Sequence, residues 1–80
     1  LLKSMQEWIN SFMKNEVLQF GKKLRDVRLK KKLSQGDIAR ILGVHRSYIS
    51  GLERGRRNPS LVTVHKVAKA LGISANELLK

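Results

Sequence analysis

The stretch from Gln35 to Arg54, QGDIARILGVHRSYISGLER, decides the fold. Its spacing predicts two short helices joined by a tight turn. Ser34 precedes the first helix, and its hydroxyl can accept from the free amides there. Asp37, three residues on, suits the positive end of the helix dipole. Ile38 and Leu42, one turn apart with Ala39 beside them, form a single apolar edge. Gly43 supplies the positive φ that a helix end needs when the chain must turn. After Val44 a second helix can begin at His45 or Arg46.

At about 100° per residue the second helix sorts its residues by role. Ile49 and Leu52 point one way, with Glu53 at the edge of their side. Ser47, Ser50, Gly51 and Arg54 point the opposite way, and Arg46 and Tyr48 take the flanks. A helix with small polar groups at its centre and Arg and Tyr at its rim fits a groove. There it can offer donors to base edges and phosphates.

This stretch resembles the helix-turn-helix of the XRE group, the family of phage lambda-type repressors and Cro. Ala39, Gly43, Ile49 and Leu52 sit where that motif keeps a small residue, a turn glycine and two buried aliphatics. Within the family, VHRSYISGLERGRRNPSLVTVHKVAKAL is most similar to the controller proteins of restriction–modification systems. Those have a similar His-Arg-Thr/Ser-Tyr-Ile-Ser start to the recognition helix, then Glu-Arg-Gly and Arg-Asn. The resemblance spans residues 20 to 80. It implies an all-α fold, a lambda repressor-like domain of five helices, to which this sequence adds an extra N-terminal helix. The expected division is an accessory helix over 1–18 and a DNA-binding domain over 19–80. The resemblance also implies a homodimer on paired operator half-sites of double-stranded DNA, acting as a transcriptional regulator. Two positions depart from the family pattern. Lys32 stands where Gly is usual, implying a strained helix end, and Gly36 replaces a good helix former, Glu.

Charge supports the same partner. The chain has 80 residues and a net charge of +11. Residues 22 to 57 hold twelve Lys or Arg against three acids, while the first twenty-one residues sum to zero. A basic patch coincident with the motif points to nucleic acid. With no cysteine, disulfides and thiolate chemistry are excluded, and two lone histidines argue against a metal site. No cofactor is expected. No apolar run approaches the roughly 20 residues of a membrane span, no secretory signal is visible, and the default location is the cytoplasm. There is no nucleophile–base constellation, no paired carboxylates and no phosphate-cradling glycine loop, so no enzymatic activity is expected.

Outside the resemblance, Met5, Trp8, Ile9, Phe12 and Met13, then Val17 and Phe20, fall at helical spacing, and Ser4 with Glu7 makes a capping box. This helix either packs on the domain or a symmetry mate, or docks a protein partner through Trp8 and Phe12. The second option carries the alternative function, an antitoxin or bridging-type interaction protein. A third reading, open for a chain beginning at Leu1, is the DNA-targeting module of a larger enzyme.

In the next helix Phe20, Leu24 and Val27 form the apolar stripe, and Arg28 falls on it. Charges facing a core are costly unless paired. Arg28 and Glu53 are therefore expected to form a structural salt bridge, which the resemblance also implies. Gly55 to Ser60 reads as a loop. Leu61, Val64, Val67, Ala68 and Leu71 give the next helix its stripe, ending at Gly72, and Ser74 with Glu77 makes a second capping box before Leu78 and Leu79. Those two leucines are expected to be partly covered.

Arg46 is the leading candidate for base readout, because a guanidinium can bond guanine O6 and N7 together; its alternative role is a phosphate clamp. Ser47 and Ser50 meet bases or waters, and Tyr48 a phosphate or a thymine methyl. Gln35, where the first free amides of its helix can meet a phosphate, His45, Arg54 and the loop residues Arg56, Arg57 and Asn58 make up the phosphate-contacting set.

Overall fold

Phe20, Leu24, Ile49, Leu52, Val67 and Leu78 come from well-separated parts of the chain, yet all are buried together. The computed structural model describes residues 5–79, with side chains from Asn15 onward. These residues form α1 (Met5–Lys30), α2 (Gln35–Leu42), α3 (Arg46–Glu53), α4 (Leu61–Leu71) and α5 (Ala75–Leu79), with no strand among them. α1 packs on α3 and α5, α2 on α3 and α4, and α5 closes against α4. Ile38 and Ala39 of α2 and Val64 and Ala68 of α4 complete the core.

The expected boundary between residues 18 and 19 falls inside a continuous helix. The accessory helix and the first domain helix are one, 26 residues long, or about 39 Å at 1.5 Å per residue. No proline interrupts it, and the one weak helix former in the crossing region, Gly21, has a packing reason to be there. A Cβ at Gly21 would lie 2.7 Å from the Glu53 carbonyl oxygen, so only glycine lets α1 cross the end of α3 this closely. The Ser4–Glu7 capping box and the Trp8–Phe12 pair lie outside the residues whose side chains are described.

Helix ends follow local chemistry. The Asp37 amide donates to Ser34 Oγ at 2.9 Å, and the Ser34 amide to Asp37 Oδ2 at 2.8 Å, which caps α2 reciprocally. Gly43, at φ 70°, closes α2, with the Val44 amide reaching back to the Ala39 carbonyl at 3.0 Å. α1 closes the same way, Leu33 N to Arg28 O at 3.1 Å, but through Lys32 at φ 59°. The absent glycine thus leaves a non-glycine residue in the left-handed region. Ser60 Oγ caps α4 by accepting from the Thr63 amide at 3.1 Å.

Three local expectations need correction. Leu61 is 69% exposed rather than part of the buried stripe, because it opens the first turn of α4 beside the exposed Arg56–Asn58 loop. Leu78 is buried, since α5 wedges between α1 and α4, while Leu79 turns outward at 53% exposure. At the start of α5 the Glu77 amide donates to the Ser74 carbonyl at 3.1 Å, and no side-chain capping bond forms among the described residues.

Candidate nucleic-acid interface

α3 is fixed from behind. Ile49 and Leu52 are completely buried, and Glu53 is held by three donors. Arg28 Nε bonds Glu53 Oε2 at 2.6 Å and Arg28 Nη2 bonds Oε1 at 3.0 Å. Gln35 Nε2 donates to the same Oε1 at 3.0 Å. Arg28 Nη1 donates to the Leu33 carbonyl at 2.9 Å, tying in the α1–α2 connection. The Arg28 and Glu53 side chains are only 9% and 4% exposed. The bond to Glu53 raises the Arg28 pKa; burial opposes that rise and the carboxylate's attraction adds to it. One ion pair thus joins α1, α2 and α3 with its geometry satisfied, which is the condition under which a buried pair holds.

The opposite face of α3 is open. Arg46 and Ser47 are exposed, Ser50 is half-buried, and together with Gln35 and Arg54 they line one shallow groove. His45 is exposed and caps α3 only through its backbone, its carbonyl accepting from the Tyr48 amide at 3.0 Å. The N-terminal end of α3 therefore has no side chain folded over it by capping. Gln35 is held at the groove by its bond to Glu53, so the same residue serves the ion-pair network and lines the groove.

Tyr48 sits differently. It is half-buried, its hydroxyl 3.4 Å from Thr63 Oγ1, and Thr63 Oγ1 is 3.0 Å from Ser60 Oγ. The ring connects α3 to the first turn of α4. Arg57 places its guanidinium 5.9 Å from the Tyr48 ring centroid, within cation–π range. The Arg57 stem covers Gly51: a Cβ there would lie 2.7 Å from Arg57 Cγ. The Arg56 and Arg57 amides both donate to the Gly51 carbonyl, at 2.9 and 3.3 Å. The loop of Arg56, Arg57 and Asn58 is thus folded onto the end of α3, and all three side chains are exposed. Leu18 packs over Gly55, where a Cβ would lie 3.1 Å from Leu18 Cγ, so α1 also braces this loop.

The structure adds one residue that spacing alone did not single out. Arg25 shares a depression with Arg28, Gln35, Ser50, Glu53 and Arg54, adjoining the first groove. The signal was available: Arg25 lies one turn before Arg28, so it belongs at the edge of the face that meets α3. Among the described residues no cluster of three or more His, Asp or Glu could hold a metal ion. No described helix is long and apolar enough to cross a membrane.

An exposed polar and basic face on the second of two helices joined at Gly43, with a basic loop at its far end, is the geometry of a groove-reading motif. Residues 24–78 match the helix-turn-helix family model. The chain belongs to the XRE-type helix-turn-helix family. It is 48% identical over 63 residues to the control protein C.BamHI of Bacillus amyloliquefaciens, covering 78% of each chain. Among solved structures, the restriction–modification controller protein C.AhdI from Aeromonas hydrophila superposes with a TM-score of 0.76 at 47% identity, covering 80% of this chain and 97% of that one. The controller protein C.Esp1396I, a tetramer in complex with its natural 35 base-pair operator, gives a TM-score of 0.68 at 29% identity, covering 80% of this chain and 95% of that one. Membership and the likeness to controller proteins agree with the expectation from the recognition-helix sequence.

Proposed function

We propose that this chain is a sequence-specific DNA-binding transcriptional regulator that binds operator half-sites as a homodimer, in the manner of restriction–modification controller proteins. The observation that carries it is α3: Ile49 and Leu52 lock one face into the core, while Arg46, Ser47, Ser50 and Arg54 line a groove on the other. Its relatives are control proteins and repressors, and one similar structure holds an operator. In this reading Arg46 reads base edges with Ser47, Ser50 and Tyr48, and a bidentate guanine contact discriminates by about 1–3 kcal/mol. Gln35, His45, Arg54, Arg56, Arg57 and Asn58 hold phosphates. Residues 19–80 form the DNA-binding domain and 1–18 an accessory segment. Two copies present their recognition helices about 34 Å apart, one turn of DNA. The exposed Leu79 on α5 is available to a dimer contact. Such a regulator works in the cytoplasm and needs neither a cofactor nor catalysis.

Selecting bound sequences from a random duplex pool at about physiological salt, with Arg46→Ala alongside, tests the reading. A twofold motif that loses one base preference in the variant is the expected result. Sequence-blind recovery by both proteins would reduce α3 to a phosphate binder and redirect attention to a protein partner.

A further inference from the structure

Arg25 lies outside the helix-turn-helix, yet α1 brings it to the rim of the reading groove. We propose that Arg25, with Arg54 and Gln35, forms a seat for one backbone phosphate of DNA. The inference rests on the DNA-binding reading above and extends the contact surface to α1.

The depression they line is about 250 Å³ and draws on three helices. Besides the Arg28–Glu53 pair, two guanidinium groups and one amide line it, the donor types that meet phosphate oxygens in protein–DNA contacts. The acid in the depression, Glu53, does not oppose an anion there. Both its oxygens accept from Arg28, and one also from Gln35. The pair is neutral as a unit. Asp26, the nearest acid on α1, is the next residue along and projects about 100° around the helix from Arg25. Arg25 is exposed and appears in no ion pair among the described residues. Its charge is not spent inside the protein.

Position favours the backbone over the bases. Gln35, Ser50 and Arg54 line both this depression and the groove containing Arg46. Arg54 lies eight residues beyond Arg46, about 12 Å along the α3 axis at 1.5 Å per residue. The major groove is about 12 Å wide. If Arg46 faces a base edge near the groove centre, a seat at that distance meets the groove wall, where the phosphates run.

The test titrates the full chain with its selected duplex between 50 and 200 mM salt. Each neutralised phosphate contributes a log–log slope of about −0.9, so losing one per protomer, two per homodimer, lowers the affinity ratio across this range by about 12-fold. Arg25→Ala is expected to show that reduction with unchanged base preferences and unchanged thermal stability, and Arg25→Lys to restore the slope. Lys66→Ala, which removes a charge from the groove between α2 and α4, is expected to leave it unchanged. Replacing single phosphates by neutral methylphosphonates should identify one position in each half-site that weakens the wild type and leaves Arg25→Ala unaffected. An unaltered slope in Arg25→Ala, with the same methylphosphonate pattern as wild type, overturns the seat and leaves the regulator intact. Absence of any salt-dependent, sequence-selective binding by the wild type removes both.

Discussion

α2 and α3 are each eight residues long and meet at one turn, but they are held by opposite means. α2 carries its own instructions: a reciprocal Ser34–Asp37 cap at one end, Gly43 at the other, and an Asp37–Arg40 ion pair one turn apart. α3 has no side-chain cap, no acid in its first turn and no base in its last. It is held by what lies behind it, namely buried Ile49 and Leu52, the Arg28–Glu53 pair and the close crossing at Gly21. The difference suits the proposed work. A helix whose first turn must face DNA gains from leaving that turn uncovered, and then needs tertiary contacts for its order. Local caps can hold the partner that does not enter the groove.

If α3 depends on tertiary anchors, removing one should cost more than any cap. Arg28→Ala leaves Glu53 almost buried without its main partner, and breaking such a pair costs about 3–5 kcal/mol. That is a large part of the 5–15 kcal/mol typical of a whole domain. Urea or thermal unfolding is expected to show it, and the Arg28→Ala/Glu53→Ala double variant should cost less than the two single changes added together. A near-neutral Arg28→Ala would mean that the pair does not anchor α3. Next comes Gly21→Ala. In an exposed helix interior this change gains about 1 kcal/mol. Here the added Cβ meets the Glu53 backbone, and overpacking of about 1–3 kcal/mol should reverse the sign. A stabilised variant would show that the crossing tolerates a wider spacing.

On the α2 side the expected losses are smaller. Ser34→Ala removes one half of the reciprocal cap and should cost about 1 kcal/mol. The cap also has a pH signature. The Asp37 carboxylate is held below its ordinary pKa of 3.8, first by the Ser34 amide and then by the Ser34 hydroxyl, with Arg40 contributing less. A depressed carboxylate adds stability above its unfolded pKa. That contribution is lost as pH falls below about 4 toward the folded value. Acid titration of unfolding free energy should therefore show a shallower decline below pH 4 in Asp37→Asn than in wild type. Equal acid limbs would mean that the carboxylate's charge adds nothing to the cap.

The same division explains what was legible in the sequence. The caps of α2, the turn at Gly43 and the buried pair of α3 are local patterns, visible as spacing over a few residues. The salt bridge was legible because Arg28 and Glu53 each sit on an apolar stripe, an error in pattern that only a partner can correct. Gly21 and the fold of Arg57 over Gly51 were not legible, because each depends on how α1 and the loop meet α3 in space. The burial of Leu78 was missed for a related reason: a five-residue helix has too little periodicity to show which leucine faces inward. Continuity of α1 was missed for a different reason. The resemblance begins at about Phe20, and the division was set there although helical spacing runs from Met5 to Phe20 and nothing between them ends a helix.

The smallest predicted effect concerns the end of α1, where the pattern of α2 is repeated with one residue changed. Both helices close through a residue in the left-handed region, Gly43 at φ 70° and Lys32 at φ 59°. For a residue with a Cβ that conformation costs about 1–2 kcal/mol. Glycine relieves it but loses about 0.4–1 kcal/mol through the greater freedom of the unfolded chain. The Lys32 charge also favours the helix C-terminus by about 0.3–1 kcal/mol, and glycine forfeits that. With strain relief near the top of its range, the balance for Lys32→Gly is a gain of about 1 kcal/mol, a few degrees in melting temperature for a domain of this size. Because the chain carries a net charge of +11, removing any lysine can stabilise it by reducing self-repulsion. Lys32→Ala separates the two causes, since it removes the same charge and keeps the Cβ in the left-handed region. If Lys32→Ala melts as high as Lys32→Gly, the gain belongs to charge. If only glycine raises the melting temperature, α1 ends under backbone strain that α2 avoids.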